Sequence, residues 1–192
     1  MGIDNYPIIY TGSVKNLRAV EKPTATEPGI YLFEYTDGYS IFDWGKMPDK
    51  LQGKGQALTV LTAFFFEELE APSTWSELES SSCWESISDL GFRNSLKNSS
   101  TFRKLQQEGL RTHYRCLRNG EGEQVKISEL KEPTNIIEVD AVNIVTPRRV
   151  EIDGGAVWDY TAFRPGIDLF LIPVENIFRY GIPKGSSLMD RL

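Results

Sequence analysis

Three places in this sequence set a cation beside glycines or hydroxyls, the combination that holds a phosphate group. The planar fork of an arginine pairs two anionic oxygens, and backbone N–H groups with a hydroxyl complete the shell. Arg179 follows the apolar run at 169–174 (LFLIPV) and precedes a turn with Gly185, Ser186 and Ser187. Thr11, Gly12 and Ser13 turn the chain between the strand-like YPIIY at 6–10 and Val14-Lys15. That is the minimal form of a loop over nucleotide phosphates, in which glycine lets the backbone approach and lysine neutralises charge. Lys54 lies in Gln52-Gly53-Lys54-Gly55, directly before a helical pattern whose first N–H groups favour an anion. Each string also has an ordinary reading: a strand with a surface arginine, a hairpin turn, a solvated loop lysine.

The totals narrow the chemistry. A net charge of −6 gives no general attraction to nucleic acid or to an anionic membrane, so a polyanionic ligand must be held by a few placed cations. The single histidine, His113, makes a Ser-His-Asp triad or a multi-histidine metal site hard to build and reads as structural; Lys, Arg and carboxylates remain as the chemical groups. Cys83 and Cys116 have no metal spacing and suggest no disulfide framework, so both are expected as reduced thiols. No apolar run reaches the roughly 18 residues of a membrane helix, and the start MGIDNYPIIY lacks the regions of a signal peptide. A cytoplasmic protein is the expectation.

These groups need elements to place them. GIYLFEY at 29–35 reads as a half-buried strand, with Thr36-Asp37-Gly38 as a hairpin turn into a strand at 39–42. From 56 to 70, Leu58, Leu61, Phe65 and Leu69 form a helical stripe that Phe64 and Phe66 widen, which predicts a helix largely buried between other elements and ended by Pro72. The segment 73–109 is serine-rich, acidic first and basic later, and reads as an insertion or flap with helices around 82–90 and 100–107, the second capped by Ser100 or Thr101. Strands return at 112–117 and 124–127 around a turn at 119–122. The alternation at 136–145 directs Ile137, Val139, Ala141 and Val142 to a core, and Asp153-Gly154-Gly155 makes a further hairpin. The order of sheet, helix, insertion and sheet predicts an α+β fold with mostly antiparallel strands.

The strings FEYTDGYSIFDWGKMPDKLQGKGQALTVLTAFFFEEL, GLRTHY, VDAVNIVTP and LIPVENIFRYGIPKGSS, in that order, resemble SAICAR synthetase, the phosphoribosylaminoimidazole-succinocarboxamide synthase of purine biosynthesis. The last is close to that family's first signature; the part between Ser73 and Gln107 matches poorly. The resemblance implies a kinase-like N-terminal sheet lobe followed by a second α+β lobe. Residues 1–170 would form the ATP-binding N-terminal lobe with its flap at about 73–109, and 171–192 the hinge and the start of the second. It further implies ATP and Mg2+ as cofactors, with aspartate and carboxyaminoimidazole ribotide (CAIR) joined through a phosphorylated substrate carboxylate, and no nucleic-acid or membrane partner. Gly12, Ser13, Val14 and Lys15 match the nucleotide loop, and Leu171, Ile172 and Glu175 match the hinge against which adenine lies. Ser40, Asp43 and Lys54 fall in substrate-facing segments, with Lys15, Asp43 and Lys54 carried over as catalytic. Arg179, Gly185 and Ser186 match the grip on the ribotide phosphate.

Three departures qualify the match. Ser13 stands where the family usually has lysine, Arg179 and the Gly-Ser pair lie one residue further apart than in the commonest spelling, and Lys184 replaces a small residue. The family's second signature and its acidic magnesium ligands are expected beyond Leu192. A non-catalytic nucleotide-binding or regulatory protein on the same scaffold is the alternative reading, and an enzyme complete only as a homo-oligomer a third.

Overall fold

The computed structural model describes residues 2–41, 44–163, 169–174, 181 and 184. Its centre is a six-stranded sheet of β1 (Ile8–Thr11), β2 (Lys15–Glu21), β3 (Gly29–Tyr35), β6 (Tyr114–Arg118), β7 (Gln124–Val125) and β8 (Ile136–Ala141). The strand order is β1-β2-β3-β8-β6-β7, and every neighbouring pair is antiparallel. Two hairpins stand apart from it, β4 (Gly38–Ile41) with β5 (Gly45–Lys50) and β9 (Arg148–Ile152) with β10 (Gly155–Asp159). The helices are α1 (Lys54–Glu70), α2 (Pro72–Glu79), α3 (Ser82–Glu85), α4 (Leu90–Asn98) and α5 (Ser100–Glu108). The fold is α+β, as the segment order predicted.

Strand register sorts side chains onto two faces. Leu17, Phe33 and Ile137 lie in line across β2, β3 and β8, as do Ala19, Tyr31 and Val139 one step on. Helix α1 covers this face: Ala63 packs with Tyr114, Leu117, Ile137 and Val139, and Tyr31, Phe33, Tyr35 and Phe66 close around them. Each fully buried aliphatic side chain here contributes roughly 1.5–3 kcal/mol.

The helix departs from the expected all-round burial. Only Gly55, Thr59 and Ala63 of α1 are buried, while Leu61, Phe64 and Phe65 are 53%, 46% and 55% exposed. Small residues let the helix sit close to the sheet on one side, and among the described residues its other side has no covering layer. The hairpin expected at 36–38 is also absent: β3 pairs with β2 and β8, and after Tyr35 the chain leaves the sheet and pairs β4 with β5. The turns at 119–122 and 153–155 do join antiparallel partners, Gly154 having φ +88°.

The region 73–109 is helical. Pro72 opens α2 in the first turn, where its missing N–H costs nothing. Ser81, Asp89 and Ser99 cap α3, α4 and α5, so the cap expected at Ser100 or Thr101 lies one residue earlier. Trp84 stacks on Phe102 with ring centroids 5.1 Å apart, and the Trp75 indole N–H donates to the Leu69 carbonyl at the end of α1 over 2.7 Å.

The opposite face of the sheet is built on charge. Glu138 is fully buried in β8. Its carboxylate accepts from Arg115 Nε at 3.1 Å, Gln124 Nε2 at 2.9 Å and Arg118 Nε at 2.7 Å. A bulge between Tyr114 and Cys116 brings both arginines of β6 to one carboxylate. Further along, Arg18 donates to Glu34 at 3.0 Å and to the Tyr6 carbonyl at 2.9 Å. Both cysteines are free thiols; burial and the neighbouring Glu138 push the Cys116 thiol up to about 11. Truncating Glu138 to alanine leaves two arginines without their shared partner. Because both arginines keep some solvent, the expected loss is at the low end for a broken buried pair, about 3 kcal/mol, read as a lower denaturant midpoint at unchanged slope.

Candidate functional site

Lys15 opens β2, and strand alternation sends its side chain to the face shared with Phe33 and Tyr35. Its ammonium lies over the Phe33 ring, 4.0 Å from the centroid, and has no carboxylate partner among the described residues. Desolvation holds the amine below its ordinary value. The half-buried cation stands in a cavity of about 930 Å³. Leu17, Tyr31, Phe33, Val139 and Ala141 form much of its apolar lining, with His113 and Leu171 also on its wall. A flat apolar chamber with a desolvated ammonium suits a ligand that is aromatic at one end and anionic at the other.

The rim is tied by Asn143. Its side-chain amide donates to the Thr24 carbonyl at 2.5 Å and to Leu169 O at 3.1 Å, while its backbone exchanges bonds with Leu169 and Leu171 at 3.0 and 2.8 Å. The β2–β3 loop and the segment at 169–171 are thereby held at the same edge. Leu171 reaches the cavity, and Ile172 beside it is 68% exposed.

The other residues named from sequence are distributed around a single joint. Gly12 donates its N–H to Lys15 O at 2.9 Å, Ser13 is exposed, and Val14 O accepts from Thr36 N at 2.8 Å. Gly12 faces a second cavity of about 730 Å³ that also touches Asn16, Asp37, Lys46 and Lys50, so the β1–β2 turn separates two chambers. Ser40 is exposed on β4 opposite Lys46. Lys54 does not project freely: its ammonium donates to Gly38 O at 2.6 Å and Thr36 O at 3.2 Å. The helix N-terminus expected to attract an anion already holds one, because Asp37 accepts from Gly55 N at 2.9 Å and Gly53 N at 3.3 Å. Gly53 sits at φ +80°, and a Cβ on Gly55 would come within 2.6 Å of Tyr35 O. Both glycines around Lys54 are therefore required by the way α1 abuts the end of β3. Asp43, Glu175, Arg179, Gly185 and Ser186 lie outside the described residues.

His113 is the site residue that sequence reasoning passed over. Its ring packs 5.1 Å from Phe66 and 5.9 Å from Phe33, with an edge open to solvent, and it shares the cavity with Lys15. Partial burial, then the Lys15 charge, hold the imidazole below its usual value. The only signal available was its place just before β6. The aromatic floor was more legible, since GIYLFEY sets Tyr31, Phe33 and Tyr35 on one face. Among the described residues no three His, Cys, Asp or Glu side chains converge.

A sequence model described as SAICAR synthetase matches residues 8–83, which run from β1 into α3. A protein of Archaeoglobus fulgidus with the provisional name phosphoribosylaminoimidazole-succinocarboxamide synthase is 33% identical over 181 residues, 94% of this chain. The chain is related to the SAICAR synthetases. It spans 41% of the length of that curated relative. The family match contains the β1–β2 turn, Lys15, Ser40 and the Gly-Lys-Gly joint, and it ends within the helical region of 73–109. No described helix is long and apolar enough to cross a membrane.

Replacing Asp37 with alanine removes the acceptor for two N–H groups at the start of α1. A stability loss of about 1 kcal/mol is expected by denaturant titration. Hydrogen exchange should show the opening concentrated in the first turn of α1 and in β4.

Proposed function

We propose that the cavity under β2, β3 and β8 binds the adenine nucleotide of a SAICAR synthetase-type ligation. The observation that carries this reading is Lys15, a half-buried ammonium without a carboxylate partner among the described residues, at one end of an apolar, aromatic-floored cavity. An adenine ring against Phe33, Tyr31 and Leu171 would place its phosphates toward Lys15. Binding would offset the desolvation that the lysine already bears, because the anion replaces lost water.

In this proposal ATP phosphorylates the CAIR carboxylate, and the amine of aspartate then displaces phosphate to form the amide, a step of purine biosynthesis. Lys15 neutralises charge on the transferred group. By the resemblance, Ser40 and Asp43 would serve the acceptor, with Lys54 behind them bracing the backbone, and Arg179, Gly185 and Ser186 would hold the ribotide phosphate. Catalysis rests on placement and charge neutralisation, with no nucleophilic side chain. Magnesium, when bound with the nucleotide, would add to this charge neutralisation. Cytoplasmic action accords with substrates of that class.

A second reading has its own support. Lys54 spends its ammonium on two backbone carbonyls and the helix terminus is filled by Asp37, so the described half of the acceptor side is built for rigidity. A nucleotide-binding regulatory protein on the same scaffold would need no more than that.

Calorimetry with magnesium-bound ATP tests the nucleotide site. Wild-type protein should bind, and Lys15→Ala should bind more weakly by roughly 1.5–3 kcal/mol, a factor of about ten to more than a hundred. No heat from a folded wild-type chain would remove the nucleotide reading. Formation of product from ATP, aspartate and CAIR by the 192-residue chain alone would remove the regulatory one.

A further inference from the structure

The nucleotide reading leaves His113 without a role, although it stands in the same cavity as Lys15. We propose that His113 is a conditional cation of this cavity, added to Lys15 and Arg111. Its imidazole is neutral beside Lys15 alone and takes up a proton from solvent as a polyanionic phosphate chain binds, so nucleotide affinity rises as pH falls. The inference rests on the nucleotide reading above and deepens it.

The argument begins with position. His113 is fixed by three elements, its ring against Phe33 of β3 and Phe66 of α1 and its carbonyl accepting from Asp140 N of β8 at 2.7 Å. The charged groups facing it are Lys15 from β2, Glu70 from α1 and Asp140 from β8; Arg111 of its own segment lines the same cavity. Both carboxylates already have partners. Glu70 accepts from the Thr112 hydroxyl, and Asp140 is paired with Arg115 at 2.7 Å. Lys15 has none among the described residues. Partial burial and then the Lys15 ammonium oppose protonation of the imidazole, and together they outweigh Asp140 and Glu70, which favour it.

A phosphate chain reaching Lys15 reverses both influences. It neutralises the ammonium and adds negative charge beside the ring, which favours imidazolium. Ser13 supplies no charge in the β1–β2 turn, so a conditional cation has a part to play here. The sign follows from linkage. The histidine starts below its usual value of about 6.5 and is raised by the ligand, so affinity gains as pH falls through that window and is flat well above it. An upward displacement of one unit limits the gain to tenfold, and about fivefold is expected between about pH 7.5 and pH 5.5.

His113 is the chain's only histidine, so the experiment has a clean signal. The imidazole proton resonance of the wild-type protein is followed through a pH titration, without and with saturating magnesium-bound ATP. ATP affinity is measured by calorimetry across the same range for wild type and His113→Gln. The proposal expects a midpoint below the ordinary histidine value that moves up with ATP, and a roughly fivefold pH dependence that His113→Gln loses while still binding at high pH. A midpoint that ATP leaves in place, or equal pH dependence in both proteins, overturns this inference while the nucleotide site stands. Absence of ATP binding by wild type at any pH overturns both. If His113→Gln fails to fold, the wild-type resonance alone decides.

Discussion

The joint between the end of β3 and the start of α1 is the interaction on which the rest of the site depends. Asp37 accepts from two N–H groups of the helix start, Lys54 donates to two carbonyls of the strand exit, and Gly55 brings the helix against Tyr35. Positive and negative partners are exchanged across a few ångströms, so neither backbone terminus is left unsatisfied. The same exit strand holds the β1–β2 turn through Thr36 and Val14. Lys15 follows directly on this pinned turn.

The sheet above that joint is asymmetric for a physical reason. One face is apolar and aromatic, and α1 covers only part of it, leaving the region of Phe33 and Tyr31 open as a chamber. The other face carries Glu138 and Glu34, each joined to arginines of neighbouring strands. Cross-strand ion pairs lock register where hydrophobic packing alone would tolerate a slip, because a shift by one residue would bury an unpaired carboxylate. A rigid register matters here. Three strands supply the chamber walls, and a displaced strand would exchange Lys15 for Asn16 on the cavity side.

The similarity to SAICAR synthetases and the geometry meet at Lys15. The family match covers the turn, the lysine and the joint; Lys15 lines one cavity, and Gly12, Asp37 and Gly53 line the other. Similarity and geometry diverge on Lys54. Its spelling reads as a ligand to substrate, whereas its atoms are committed to the backbone. A lysine in a Gly-Lys-Gly loop has one appearance in sequence whether its ammonium meets a phosphate or a carbonyl, and only the placement of the neighbouring strand end distinguishes them.

Much of the architecture was legible in residue order: strands at 29–35 and around 136, a helix from the middle fifties to Glu70, a helix from about residue 100, and an α+β antiparallel plan. Alternation and capping are local properties, and they survive folding. Thr36-Asp37-Gly38 spelled a hairpin and became a helix cap, because Asp37 finds better donors in Gly53 and Gly55 than a tight turn would offer. The phenylalanines of α1 spelled an enclosed helix, yet burial depends on which layers are present to cover it. His113 carried little sequence signal beyond its place just before β6, since its surroundings include Lys15, nearly a hundred residues earlier. By itself, then, the sequence determined many of the elements, the aromatic face of β3 and the lysine that follows the first turn. The tertiary structure alone decided which charges are spent on each other and which remain for a ligand, because that choice is set by distances between residues remote in the chain.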